Sequence, residues 1–221
     1  MVYSHNGDKN MTDQTSREPE MDSRKLTAAE KRRLAEYRSI VKNLETRGYV
    51  CSNLTVSVEK ANALSFAMWL PFGLFSLVPF FVLYGMSFKI NFLWLIALYV
   101  ASFPVHEGIH GLAWGLFNGF RNIEFGFIRE SMTPYCTCRT PQSRFSYLTG
   151  SLMPFLILGI VPAVYGLCTG SMFWMLFGNL SILSAGGDLL ICSMIFKAFL
   201  PKDCLLLDHP TEVGLSVFGK R

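Results

Sequence analysis

His106 and His110 are the residues whose types and spacing most directly indicate chemistry, because Glu107 lies between them in a His-Glu-x-x-His pattern. A helix turns by about 100° per residue, so His110 lies roughly 40° around the axis from His106 and both imidazoles can bind one metal ion. Glu107 lies beside that ion, where its carboxylate can take a proton from an attacking water. The pattern also occurs by chance in soluble helices. Here it lies in the apolar stretch 91–117, where an ionisable side chain is costly, and this favours a functional metal site.

Asp188 is the predicted third ligand, because catalytic zinc usually has three protein ligands and one open position. His106 and Asp188 come about 15 and 17 residues after the starts of two apolar runs that cross in the same direction, so they lie at similar depth. A buried lone carboxylate needs a cation or a proton. The alternative is therefore a structural carboxyl group that is protonated or hydrogen-bonded. Three further residues are less favoured as third ligand: Glu124, Glu130 and His209.

The composition indicates a membrane protein with a polar head. Of the 221 residues, 51% are hydrophobic and only 16% are charged, whereas about 25% charged residues is typical of globular proteins. The first 60 residues contain 11 of the 20 Lys and Arg and 9 of the 16 Asp and Glu, so the remainder is poorer still in charge. The net charge of +4 is too small to imply nucleic acid, and the basic residues lack the interleaved aromatic residues of single-strand binders. Membrane lipid is therefore an expected partner and nucleic acid is not.

The six cysteines are scattered, and two of them lie inside apolar runs, which does not indicate a disulfide framework. Cys136 and Cys138 are interpreted as two reduced thiols on one face of a strand, with a soft metal site as the less favoured alternative. We expect no N-terminal signal peptide, because the first 60 residues contain no apolar run of sufficient length.

Four regions are predicted along the chain. Residues 1–26 form a disordered polar tail. Residues 27–60 form a cytosolic amphipathic helix, which begins at a capping box from Thr27 to Glu30, and a linker. Residues 61–200 form a domain with four membrane spans, and residues 201–221 form a cytosolic tail. The four apolar runs, each long enough to cross a hydrocarbon core of roughly 30 Å, are 63–84, 91–117, 147–167 and 171–200. The predicted fold class is an all-α membrane protein with one short β-hairpin-like cytosolic loop.

The distribution of positive charge predicts that both termini are cytoplasmic. Arginine and lysine residues are frequent in the head, in the loop 118–146 and in the tail, whereas the segments 85–90 and 168–170 contain only Lys89.

Within the loop 118–146, residues 123–128 and 135–139 are predicted to form two short strands, with a turn at residues 132–134. Such a hairpin at the cytosolic mouth can offer its edge to an extended peptide by strand addition. A simple amphipathic cover over the helices is an equally favoured interpretation.

These motifs resemble a family of small bacterial membrane proteins described as putative zincin peptidases. The resemblance extends over about residues 48–200. It rests on the His-Glu-x-x-His span, the stretch 135–141, Pro154 and the pair Gly187-Asp188. The family assignment implies a metallopeptidase in a bacterial cell membrane.

The chain is more distantly similar to site-2 intramembrane metalloproteases, whose zinc is bound by two histidines of the same motif and an aspartate of a later span. That resemblance implies Zn²⁺ as cofactor, with His106, His110 and Asp188 as metal ligands and Glu107 as the catalytic base. The site-2 signature also has an asparagine and a proline before its aspartate. Here Asn179 precedes Asp188 without that proline, and on a regular helix it points away from Asp188, so no substrate role is assigned to it.

The predicted function is zinc-dependent hydrolysis of peptide bonds in a membrane-embedded or membrane-adjacent peptide or protein, reached from the cytoplasmic side. The alternative is a non-proteolytic membrane protein with a structural or regulatory metal site, which needs the ligands but not Glu107. Metal transport is disfavoured because the first and third apolar runs contain no intramembrane charge. A multi-histidine oxygenase is disfavoured because the chain has only four histidines. No feature of the sequence defines an oligomeric state.

Overall fold

The computed structural model describes residues 28–86, 89–128 and 133–220. Its first element is helix α1, Ala28–Thr46. The predicted disordered tail and the Thr27 end of the capping box lie outside the described residues. The candidate ligand Glu130 also lies outside them.

Helices α2, Val58–Tyr84, and α3, Phe92–Asn118, begin and end at residues that cap helices. The Ser57 hydroxyl accepts a hydrogen bond from the Lys60 amide, and the Asn91 side chain accepts one from the Trp94 amide, so each helix starts with a side-chain cap. Gly85 and Gly119 follow the two helices with φ of +68° and +83°, a conformation that glycine adopts without steric cost. These capping residues therefore mark the ends of the first two apolar runs predicted from the sequence.

The third apolar run is one span of three segments. Helix α4, Arg144–Pro154, continues through the π-helical segment Phe155–Ile160 into helix α5, Val161–Thr169. Together they give 26 residues, Arg144–Thr169, which are long and apolar enough to cross a membrane, as are α2 and α3.

The fourth apolar run consists of two helices. Helix α6, Met172–Ser184, and helix α7, Gly186–Lys197, are bent by 53° at Ala185. A Cβ at Gly186 would lie 2.8 Å from the Ser65 side chain and carbonyl, so the glycine lets the start of α7 pack directly on α2. The described residues thus contain three helices that fulfil the criteria for a membrane span, or four spans if the bent pair counts as one.

A four-stranded antiparallel sheet makes the all-α prediction wrong. Its strands are β1, Tyr49–Val56, β4, Gln142–Ser143, β5, Leu205–Asp208, and β6, Val213–Lys220, in the order β1-β6-β5-β4. Side chains alternate between its faces. One face buries Leu206, Leu215 and Val217 against α4 and α7, and the other buries Leu207 and Phe218 against α1. Because both faces are covered, β5 is an apolar run rather than an alternating one, and periodicity does not distinguish such a run from a helix.

The predicted hairpin is confirmed. Strands β2, Ile123–Ile128, and β3, Thr133–Cys138, pair antiparallel, with Phe125 opposite Cys136. Residues 133 and 134, predicted to lie in the turn, instead belong to β3 and pair with β2. The hairpin packs on α3 at Gly111, where an added Cβ would overlap the Phe125 ring.

All strands lie at one end of the helix bundle. Strand β1 leads into α2, the hairpin follows α3, β4 leads into α4, and β5 follows α7. Pairing of β1 with β6 and of β4 with β5 brings the three predicted cytosolic segments together. The sheet and hairpin therefore cover the end of the bundle at which α3 presents its histidines.

Candidate metal centre

The side chains of His106, His110 and Asp188 converge between α3 and α7. The two Nε2 atoms are 3.1 Å apart; His106 Nε2 is 3.2 Å from Asp188 Oδ2, and His110 Nε2 is 3.5 Å from Asp188 Oδ1. One ligand atom from each residue lies within 4.8 Å of the others. Ligands bound tetrahedrally to zinc at about 2.0–2.2 Å are separated by about 3.4 Å. The donor set therefore fits a zinc ion in spacing and chemical type.

His110 is held in place by its surroundings. The residue is buried, and its Nδ1 lies 2.9 Å from the Gly150 carbonyl oxygen, which can only accept, so Nδ1 carries the proton and donates. This hydrogen bond directs the lone pair of Nε2 towards His106 and Asp188, as is usual for metal-binding histidines. The Trp114 ring stacks on the imidazole at 5.0 Å with an interplanar angle of 14°. The indole N–H in turn donates to the Tyr147 carbonyl at 3.3 Å.

Glu107 is half-buried beside the three ligand residues, and its carboxylate lies next to the backbone N–H of Cys136 in β3. Glu107 lines the same cavity as His106, His110 and Asp188. The cavity has a volume of about 750 Å³. A carboxylate in this place can exchange a proton with a molecule held at the ligand cluster.

The cavity extends from the cluster into the sheet end of the molecule. Its far walls are formed by α1, by the whole exposed edge of β3 and by the connection between β5 and β6. The hairpin was predicted at this end of the site, but the walls formed by α1 and by the connection between β5 and β6 were not. Asp208 is the most notable missed residue: its carboxylate accepts hydrogen bonds from Thr137 at 2.6 Å and Tyr147 at 2.5 Å. Burial raises its pKa. The sequence signal available was a single Asp at the end of the apolar run Leu205–Leu207.

Of the alternative ligands, Glu124 and His209 do not join the cluster. Glu124 is paired with Arg32 at 2.7 Å and Arg139 at 3.6 Å. His209 lines the cavity, but its Nδ1 accepts a hydrogen bond from the Glu212 amide at 3.0 Å. Burial raises the pKa of Cys136 to about 12 and also raises that of Cys138, so both thiols are protonated at pH 7, and neither belongs to the ligand cluster.

Asn179 lies away from the cluster. Its amide donates to Ser76 Oγ at 3.1 Å and to the Met175 carbonyl at 2.9 Å, and it does not line the cavity. The contact with Ser76 joins α6 to α2, whereas the contact with Met175 lies within α6. They agree with the prediction that Asn179 points away from Asp188.

Comparison with known proteins supports the family resemblance. The model of a family described as "Putative zincin peptidase" matches residues 99–205, just under half of the chain. The match begins inside α3 and ends at the start of β5, so it contains all three ligand residues and Glu107. It starts later than the residue-48 boundary expected from the sequence. No curated protein and no solved structure matches the chain.

Gly150→Ala is expected to weaken zinc binding by about 10- to 100-fold, the usual cost of disturbing residues that orient metal ligands. A Cβ at Gly150 would overlap the Trp114 indole, which stacks on His110, and would shift the carbonyl that holds His110 Nδ1. Zinc affinity can be measured by competition with a chromophoric chelator. Gly108→Ala is the matched control, since a Cβ there has nothing within 4 Å. Equal affinities for the two variants would contradict this role of Gly150.

Proposed function

We propose that this protein is a zinc-dependent metallopeptidase of the membrane, which hydrolyses membrane-embedded or membrane-adjacent peptides at the cytoplasmic face. The observation that carries the proposal is the convergence of two imidazoles and a carboxylate to within 4.8 Å, with Glu107 beside them. The family match, whose description names a zincin peptidase, independently suggests a metallopeptidase.

His106, His110 and Asp188 are the residues that would hold the zinc ion. Bound there, zinc would supply Lewis-acid polarisation of a peptide carbonyl and would acidify water. His110 contributes a fixed ligand, because the Gly150 carbonyl and the Trp114 ring determine the position of its imidazole. Asp188 balances charge in a bundle that otherwise has little means of stabilising a cation.

Glu107 is the residue that would move protons. Its carboxylate takes a proton from the water that attacks the scissile carbonyl, and then delivers that proton to the amine as the peptide bond breaks. Both transfers need the carboxylate to reach the reacting atoms, and Glu107 lines the cavity with the ligand residues. The Cys136 amide beside it helps to keep the carboxylate in place.

Strand β3 would bind the substrate backbone. Within the described residues β3 pairs only with β2, so its second edge is unpaired, and residues 134–138 of that edge line the cavity. An extended peptide can add to such an edge by main-chain hydrogen bonds. Because the Cys136 amide lies next to Glu107, a peptide on this edge would pass close to the proposed base.

The membrane location is supported by the apolar helices. Large hydrophobic side chains on α2 and α3 are exposed, among them Phe75 at 80%, Val82 at 78% and Leu93 at 77%, and a lipid environment would cover them. The strands meet at the end of the bundle that carries most of the positive residues, which favours the cytoplasm for that end and for both termini.

The alternative, a metal site with a structural or regulatory role, requires the three ligands but no base. Comparison of membrane peptide fragments from cells that produce the wild type or Glu107→Gln distinguishes the two. If the protein is a peptidase, we expect some fragments to be present in wild-type cells and absent from Glu107→Gln cells. Identical fragment profiles, with both proteins present at equal levels and loaded with zinc, would favour the non-proteolytic alternative.

A further inference from the structure

Arg33 of α1 lines the cavity of the metal centre and has no carboxylate partner among the described side chains, those of residues 31–86, 89–127 and 134–220. Its Nε–H is buried and donates no hydrogen bond within that part of the chain. The other arginine of the cavity wall, Arg139, is fully engaged: it donates to Glu36 at 2.6 and 3.0 Å and lies 3.6 Å from Glu124. A buried guanidinium nitrogen without a partner is costly, and no described carboxylate neutralises Arg33, so an anionic ligand would stabilise it.

Tyr135 determines how Arg33 can receive that ligand. The guanidinium carbon lies 4.7 Å from the centre of the Tyr135 ring, in cation–π contact. An arginine that rests on an aromatic face still has its N–H groups directed outwards in its own plane, and this fork matches the two oxygens of a carboxylate. Tyr135 belongs to β3, the strand whose free edge lines the cavity. The cation therefore lies beside the proposed path of the peptide.

The cavity's own carboxylates do not neutralise Arg33. Both Glu36 oxygens accept hydrogen bonds from Arg139, and both Asp208 oxygens accept hydrogen bonds from Thr137 and Tyr147. Asp188 lies against the two histidines. Glu212 is exposed and forms no ion pair with Arg33.

From this arrangement we propose that Arg33, stacked on Tyr135, binds a carboxylate of the substrate peptide and so gives the peptidase a preference for acidic substrates. The carboxylate is either an Asp or Glu side chain or the free C-terminus of the peptide. The inference rests on the proposed function, since it assigns a substrate feature to the same cavity. It adds a specificity-determining residue that lies outside the matched segment 99–205.

Binding is measured with the zinc-loaded Glu107→Gln protein, so that no turnover occurs, by fluorescence anisotropy of labelled short peptides. One series carries a single Glu moved along a neutral, amidated sequence in which Gln is the reference. A second pair differs only in a free or amidated C-terminus. We expect one Glu position, or the free C-terminus, to increase affinity by about 10- to 100-fold, as for a charge-assisted hydrogen bond.

Arg33→Gln, added to that protein, should abolish the preference while leaving zinc content and affinity for the neutral peptide unchanged. Arg33→Lys should retain only a small part of the preference for a carboxylate, because an ammonium group lacks the planar fork of a guanidinium group. Arg38→Gln is the matched control, an equal loss of charge on the exposed face of α1 away from the cavity. No preference in either series, or a preference that survives Arg33→Gln or is fully kept by Arg33→Lys, would overturn the inference. An Arg33-dependent preference in a protein whose wild type cleaves nothing would support the inference and refute the peptidase.

Discussion

Purified Glu107→Gln protein is expected to bind zinc like the wild type and to hydrolyse peptides about 10²- to 10⁴-fold more slowly. Glutamine has almost the same shape as glutamate but cannot accept the proton of the attacking water at neutral pH. Glu107 is not one of the three clustered ligands, so its loss should leave the metal site intact. The measurements are zinc content per chain and the rate of cleavage of a peptide that the wild type cleaves.

Glu212→Gln is the appropriate control for this variant. Glu212 also lines the cavity but is exposed, and its backbone amide, rather than its carboxylate, makes the contact with His209. Its substitution should change the cleavage rate little. A Glu107→Gln protein with wild-type activity would rule out the proposed base, whatever its zinc content.

Asp188→Asn is expected to reduce the zinc content from about one ion per chain to a small fraction after dialysis. An amide is a much weaker ligand for zinc than a carboxylate, and the loss should exceed the roughly 10- to 100-fold effect of disturbing an orienting residue. The two imidazoles, 3.1 Å apart, would lose the carboxylate that lies against both of them. Atomic absorption on protein in detergent gives the stoichiometry.

Asp208→Asn provides the comparison for Asp188. Asp208 is a second buried carboxylate on the same cavity, but it is hydrogen-bonded to Thr137 and Tyr147 and does not belong to the ligand cluster. The Asp208→Asn protein should therefore retain its zinc. If the Asp188→Asn protein also retained about one zinc ion per chain, Asp188 would be a structural carboxyl group and another residue would be the third ligand.

The sequence was sufficient to predict the parts of the site that lie on regular helices. The spacing of His106 and His110 follows from helical geometry alone, and Asp188 followed from counting residues along two parallel-running spans. The structure brings these side chains together even though the run that carries Asp188 is bent at Ala185. At this bend Gly186 packs closely against Ser65 of α2, and a contact between distant segments cannot be read from the local sequence.

The sheet and the cavity walls were not predictable for a similar reason. Tyr49 pairs with Lys220 across nearly the whole chain, so the partner of β1 is decided by tertiary packing rather than by neighbouring residues. Helix α1 was expected on amphipathic grounds, but its position over the cavity depends on contacts of Glu36 with Arg139 and Arg33 with Tyr135. These pairs join segments about a hundred residues apart.

The pairing of β1 with β6 has a consequence for when activity can arise during synthesis. The apolar helices α2 to α7 lie between these two strands in the chain, so all of them are synthesised before β6 can reach β1. The connection between β5 and β6 closes one wall of the cavity, and this wall is therefore among the last parts to form. A nascent chain on the ribosome would carry its histidines and Asp188 without a completed cavity. For the proposed peptidase, activity would therefore arise only after β6 has paired with β1.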